Sequence, residues 1–410
     1  MVIVETKAEI NAHPLAEIDV SQPRLFQNDT VGLYFERLRR EAPVHYCRDS
    51  AYGPYWSVTR FNDIMAVDKD HEAYSSEVGG IQIIDYPANL KRLNFINMDP
   101  PVHDQHRRIV SPVVAPPNLV NLKQLIRQRV GNILDGLPRN ETFDWVETVS
   151  IELTTQMLAT LFDFPFEDRK KLTWWSEVVT MDLSQGGRID SEEKRLAELQ
   201  DCLDTFTSLF QDRAKAPPKS DLISMLAHSD VADMDPQTFL STLMLLIVGG
   251  NDTTRNSISG GLLALLDNPL EMNKLKEDPS LVSSLVPEII RWQTPLTSMR
   301  RTSTRPVVLN GQEIPEGAKI IMWYLSGNRD ETVIPNAASF IIDRASPRHH
   351  LSFGFGIHRC MGNRLAEMQL QVLWEEILSR SMNIELQGEP QRTYSNAVRG
   401  FTQLPVRIVA

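Results

Sequence analysis

The sequence predicts a mainly α-helical fold, and three segments carry that expectation. The stretch from Asp235 to about Asp267 opens on an Asp-Pro pair suited to an N-cap and a first helical position, and it stops at Asn268-Pro269. At ~1.5 Å per residue such a helix measures roughly 48 Å, long enough to cross the whole molecule. Leu285 to Trp292 reads as helix with Glu288 and Arg291 one turn apart on one face, where they can pair. A third helix is expected just after Cys360, behind a loop that holds Gly354, Gly356 and Gly362.

The chain has 410 residues, 42% of them hydrophobic, and a formal charge of −11. Length alone, at ~150 residues per domain, suggests two or three domains. No Pro/Gly/Ser linker, repeat or low-complexity tract divides the sequence, however. The negative charge argues against nucleic acid as the main partner. Cys47, Cys202 and Cys360 are too few and too scattered for a disulfide framework, which points to a reducing compartment and hence the cytoplasm. Met1 to Lys7 soon becomes polar and offers neither a signal-peptide core nor an apolar span of ~20 residues, so no membrane anchor is expected. The apolar run Leu243 to Val248 is also too short to span a bilayer.

Taken in chain order, the first chemical segment is Asp99-Pro100-Pro101-Val102-His103-Asp104-Gln105-His106-Arg107-Arg108, where His103 and Arg107 share a helical face at i,i+4. Cationic and imidazole groups so placed suit a carboxylate-bearing ligand. The long helix contains Gly249-Gly250-Asn251-Asp252-Thr253-Thr254, and two adjacent glycines there cost about 1 kcal/mol each relative to alanine. Thr253 can return its hydroxyl to the Gly249 carbonyl and open a local bulge, a groove able to hold small molecules such as dioxygen and water. A plain helix kink with a satisfied polar patch is the alternative. The Glu288/Arg291 pair, taken alone, could equally be a solvated surface contact.

The most specific segment is Phe353-Gly354-Phe355-Gly356-Ile357-His358-Arg359-Cys360-Met361-Gly362. It sets one cysteine in a glycine-rich, positively flanked loop before a helix N-terminus, the setting in which a thiolate stays deprotonated and can ligate haem iron. Gly356 and Gly362 are expected to present backbone amides to the sulfur, and glycine lets a flat porphyrin approach closely. The alternative for Cys360 is a buried structural thiol.

On the Phe-x-x-Gly-x-x-x-Cys-x-Gly loop and the Gly-Gly-x-Asp-Thr run, the chain resembles the cytochromes P450, in their bacterial form without a membrane anchor. The resemblance spans essentially the whole sequence. It implies one domain over residues 1–410, mainly α with a small β-rich lobe near the N-terminus, and a long central helix crossing over the haem. It implies haem b with Cys360 as the iron ligand, and Asp252 and Thr253 as the acid and alcohol that deliver protons to iron-bound oxygen. It assigns His103, Arg107, Arg301 and His358 to the haem propionates, with Phe353 and Gly362 completing the cofactor loop. Glu288, Arg291 and Arg344 become a structural lock on the segment leading to the cysteine. Arg107, Arg108, Arg359 and Arg364 would lie on the thiolate side, facing an acidic electron carrier or the propionates. His106, His349 and His350 have no role in the pattern and are expected at the surface or in packing. Gln369 and Glu331 depart from what many relatives carry there.

Leu245 to Ser257, Leu351 through Cys360 to Glu376, and the loop Ser75 to Ile84 are similar to the bacterial alkane hydroxylases of that superfamily, which oxidise terminal methyl groups of medium-chain alkanes and fatty acids. By this resemblance Ile83, Phe95, Leu245, Val248, Gly249, Leu296, Thr297 and Val398 line the substrate space. Nearly all are apolar and suit a hydrocarbon, at ~0.8 kcal/mol per buried methylene, while discriminating poorly between similar chains. The same residues could simply be core. Electrons would come from a separate ferredoxin and ferredoxin reductase, since no flavin or nicotinamide domain follows Cys360. Hydroxylation of a terpene or alkyl aromatic remains open, as does a non-catalytic haem sensor or hydrophobic-ligand carrier. A peroxide-driven oxygenase is a further alternative.

Overall fold

The computed structural model describes residues 6–85, 93–180, 188–229 and 235–409. The first five residues of the N-terminal stretch read above lie outside the described residues. Helices used below are α1 (Phe61–Lys69), α2 (Val102–Val110), α3 (Glu152–Phe162), α4 (Lys170–Thr180), α5 (Pro236–Asp267), α6 (Val282–Gln293) and α7 (Asn363–Ser379). The β-rich lobe is a five-stranded sheet of β1 (Val44–Cys47), β2 (Tyr55–Val58), β3 (Tyr74–Ser75), β4 (Met299–Ser303) and β5 (Lys319–Met322), in the order β1-β2-β5-β4-β3. Only the β2–β5 pairing is parallel. Two of the strands thus come from late in the chain, so the lobe is N-terminal in location but not wholly in sequence.

The long helix matches the sequence signals residue by residue. Asp235 caps it by accepting from the Gln237 and Thr238 amides, Pro236 opens it, and Asn268 ends it before a new helix begins at Pro269. It runs as α-helix through Gly249 and Gly250, so the bulge expected there is not formed. Thr253 Oγ1 nevertheless donates to the Gly249 carbonyl at 2.8 Å, as the spacing predicts. Every residue from Asn256 to Leu265 is buried, and this half of the helix runs against α6. The approach is close: a Cβ at Gly260 would lie 2.1 Å from Gln293 Oε1, and one at Gly261 2.8 Å from Ile289 Cδ1. One core cluster joins this half of α5 to α6 and α7, through Leu262, Ile289 and Leu370.

The Glu288/Arg291 pair is buried rather than solvated. Arg291 donates from Nε and Nη2 to the two Glu288 oxygens, each at 2.7 Å, and Arg344 Nε adds a third bond at 2.9 Å. Arg291 also reaches the carbonyls of Asn328, Ala337 and Ser339, so the lock ties α6 to the segment that leads to the cysteine. Glu288→Ala leaves two guanidinium groups without their carboxylate, and we expect it to cost about 3–5 kcal/mol in denaturant unfolding of the haem-loaded protein. A loss under about 1 kcal/mol would contradict the lock. Glu331, one of the departures, pairs with Arg39 at 3.2 Å.

Among the described residues no helix is long and apolar enough to cross a membrane.

Candidate functional site

The cysteine loop is closed by its own backbone, with the Cys360 amide donating to the Phe353 carbonyl at 2.8 Å. Cys360 is exposed, whereas Cys47 and Cys202 are buried. Burial pushes the Cys47 thiol up to about 12 and raises that of Cys202 as well, so neither forms a thiolate readily. Crowding by protein raises the Cys360 thiol too. There it is opposed by the backbone N–H groups of Gly362 and Asn363 at the start of α7 and by the Arg107 and Arg359 guanidiniums. The positive setting expected from sequence is therefore present, with Gly362 supplying an amide to the sulfur. Gly356 serves otherwise: its φ is +67°, and a Cβ there would meet the Asp68 carbonyl at 2.4 Å.

His103 and His358 come together on the other flank of the loop, their rings 4.6 Å apart and edge to face. Both are buried; His103 Nδ1 meets Asp104 at 2.8 Å, while His103 Nε2 and both ring nitrogens of His358 have no hydrogen-bond partner among the described residues. Burial, with Arg301 and His103 nearby, pushes His358 down to about 2. Arg107 lies over the Phe95 ring at 5.8 Å and donates to the Arg359 carbonyl. Arg301 is buried and bonded to Asp68 at 2.8 Å. Buried imidazoles with ring nitrogens left unpartnered, flanked by two guanidiniums and beside an exposed thiol in a positive pocket, fit an anionic cofactor that also needs a sulfur ligand. Haem, with its two propionates and its iron, is such a group.

Asp252 and Thr253 are neighbours on α5 but address different sides. The Asp252 carboxylate is buried, accepts from Ser176 Oγ of α4 at 3.3 Å and pairs with Arg255 at 3.2 Å. Burial raises its pKa, while Arg255 and Ser176 pull it down. Glu177 touches the same Arg255 at 3.6 Å. Thr253 is half-buried and its hydroxyl turns back along the helix. Sequence reasoning missed Ser176, Glu177 and Arg255, because nothing in the spacing of α4 announces which of its polar residues meets the long helix.

Leu245 and Val248 are half-buried, and Gly249 is exposed with open space where a Cβ would stand. Leu296 and Val398 are brought side by side by a β-bridge. Phe95 stacks edge-on against His103 at 6.3 Å. Ile83 belongs to the cluster of Phe26, Phe35 and Trp323, and Thr297 is fully buried with its hydroxyl on the Asn396 and Ala397 carbonyls. These two are engaged by protein, a packing role the residue types could not distinguish from lining. His106 is half-buried, His349 stacks on Phe61, and His350 is buried and accepts from the Ser352 amide, in keeping with packing.

The family described as Cytochrome P450 matches residues 52–409. The linalool 8-monooxygenase of Pseudomonas putida is 33% identical over 408 residues, covering 95% of this chain and 98% of its own. Among solved structures, cytochrome P450-153 from Novosphingobium aromaticivorans is 42% identical with a TM-score of 0.88, covering 95% of this chain and 99% of its own. CYP153D17 from Sphingomonas sp. PAMC 26605 is 46% identical with a TM-score of 0.89, covering 96% and 99%.

Proposed function

This chain belongs to the cytochrome P450 family, and from that premise we propose that it hydroxylates the terminal carbon of medium-chain alkanes or fatty acids. The coarser statement is established: it is a haem-thiolate monooxygenase with haem b as cofactor. Bound by Cys360, haem b supplies the centre at which O2 is activated and one oxygen atom passes into a C–H bond while the other leaves as water. The chain's residues do the rest. His103, His358, Arg107 and Arg301 would hold the propionates, the Gly362 amide with Arg107 and Arg359 would favour the anionic form of the sulfur against the effect of burial, and Asp252 on the α4 side with Thr253 on the open side would relay protons inward.

The observation that carries the terminal-hydroxylase reading is the open position at Gly249, beside Leu245 and Val248. An apolar chain can lie against the helix there and gain by desolvation. A primary C–H bond is stronger than a secondary one, so terminal attack requires that only the chain end reach the reacting centre, which is a matter of positioning. The likeness to two P450-153 structures supports this reading. Electrons would come from a ferredoxin and its reductase, docking where Arg108, Arg359 and Arg364 are exposed on the cysteine side.

Turnover with surrogate ferredoxin partners on medium-chain alkanes, fatty acids, terpenes and alkyl benzoates tests the proposal. Terminal alcohols from linear chains are expected to dominate. Oxidation confined to terpenes, as the name of the Pseudomonas putida relative would suggest, keeps the monooxygenase and discards the terminal-alkane reading.

A further inference from the structure

Asp68 lies in the last turn of α1 and is 3% exposed, yet no motif in the sequence draws attention to it. Its carboxylate is a meeting point for three donors from separate parts of the chain. Arg301 Nη2, from β4, binds Oδ1 at 2.8 Å. The Phe355 amide, from the cysteine loop, binds Oδ2 at 2.7 Å, and the Tyr324 hydroxyl binds the same oxygen at 3.1 Å. The loop is shaped to reach it. Gly354 and Gly356 have φ of +64° and +67°, and a Cβ on them would stand 3.1 Å from Asp68 Oδ2 and 2.4 Å from the Asp68 carbonyl oxygen. Two glycines of the Phe-x-x-Gly-type loop are therefore accounted for by contact with α1, without appeal to the porphyrin.

We propose that Asp68 is a positioning residue of the haem site: one buried carboxylate fixes both the cysteine loop, through Phe355, and the orientation of Arg301, and so sets haem retention and reduction potential without touching the haem. A carboxylate is required because three N–H and O–H donors converge on two oxygens. The isosteric amide of asparagine offers one acceptor oxygen and turns an NH2 toward donors. Its charge matters separately. A buried negative charge behind Arg301 offsets part of the guanidinium's field, so losing it favours the added electron of the reduced haem. The Arg301 part of this inference rests on that residue serving a propionate. Wild-type haem retention in Arg301→Gln would sink that premise, whereas failure of Asp68→Asn alone sinks only the role of Asp68.

The test uses the haem-loaded enzyme and reads haem transfer to excess apomyoglobin together with the reduction midpoint. Asp68→Asn is expected to release haem at least about tenfold faster, the factor carried by one lost charged hydrogen bond, and to have a raised midpoint. Tyr324→Phe keeps the charge and loses one donor, so it should release haem a few-fold faster with no upward shift. Wild-type behaviour of Asp68→Asn in both readouts overturns the proposal. So does faster release with an unmoved midpoint, which marks a loosened fold only. If Asp68→Asn yields no holoenzyme, a wild-type release rate in Tyr324→Phe overturns it alone.

Discussion

Replacing Cys360 with serine is expected to abolish the red-shifted carbon monoxide band of the reduced protein and all O2-dependent turnover, while Cys47→Ser and Cys202→Ser keep both. The argument is one of acidity and access. Serine's hydroxyl stays protonated under conditions where a thiol flanked by the Gly362 and Asn363 amides and by Arg107 and Arg359 can ionise, and only the thiolate pushes electron density toward bound oxygen. Burial raises all three thiols, but the other two are themselves buried and, among the described residues, have no guanidinium to oppose the shift, as Arg107 and Arg359 do at Cys360. The reduced-minus-reduced-CO spectrum of each purified variant decides the matter. A normal band in Cys360→Ser, or a lost one in either control, would show that the iron ligand has been misassigned.

Thr253→Ala is expected to turn electron flow from product toward hydrogen peroxide, lowering product per electron by a factor of about ten or more, within the range ascribed to a positioned proton donor. The hydroxyl lost is the one bonded to the Gly249 carbonyl, at the point where α5 borders open space. Asp252 stays buried against Ser176 and Arg255 and cannot take over, because its carboxylate faces α4. Thr253→Ser should retain most of the coupling. Peroxide and product, measured against consumed reducing equivalents, check this. Unchanged coupling in the alanine variant would remove Thr253 from proton delivery and shift weight toward a peroxide-driven or non-catalytic reading.

Much of this site was legible because its residues are close in sequence to their own partners. Cys360 and Gly362 sit within one loop, Thr253 and Gly249 within one helical turn, and Glu288 and Arg291 likewise. Local geometry turns such spacings into contacts. What could not be read were pairings set by tertiary packing. Asp68 meets Phe355 across 287 positions, and Asp252 meets Ser176 across 76. Ile83 and Thr297 are further examples, since an apolar residue or a threonine gives no sign of whether its neighbour is a ligand or another side chain. The absent bulge at Gly249-Gly250 has a similar cause: the threonine bond forms on an ordinary α-helix, so a motif alone does not dictate backbone distortion.

The pair Gly260 and Gly261 has a consequence for motion. With Gln293 and Ile289 pressed against bare backbone at these two positions, the second half of α5 and α6 interlock where a sliding side chain would collide with the main chain. Because α6 also carries the Glu288–Arg291–Arg344 lock, the oxygen-side helix and the frame of the cysteine loop move as one rigid body. Any breathing that admits a substrate must then be borne by the elements leaning on that body, α4 and the exposed helix Glu192–Lys215 among them, while the spacing between Thr253 and Cys360 stays fixed from one turnover to the next.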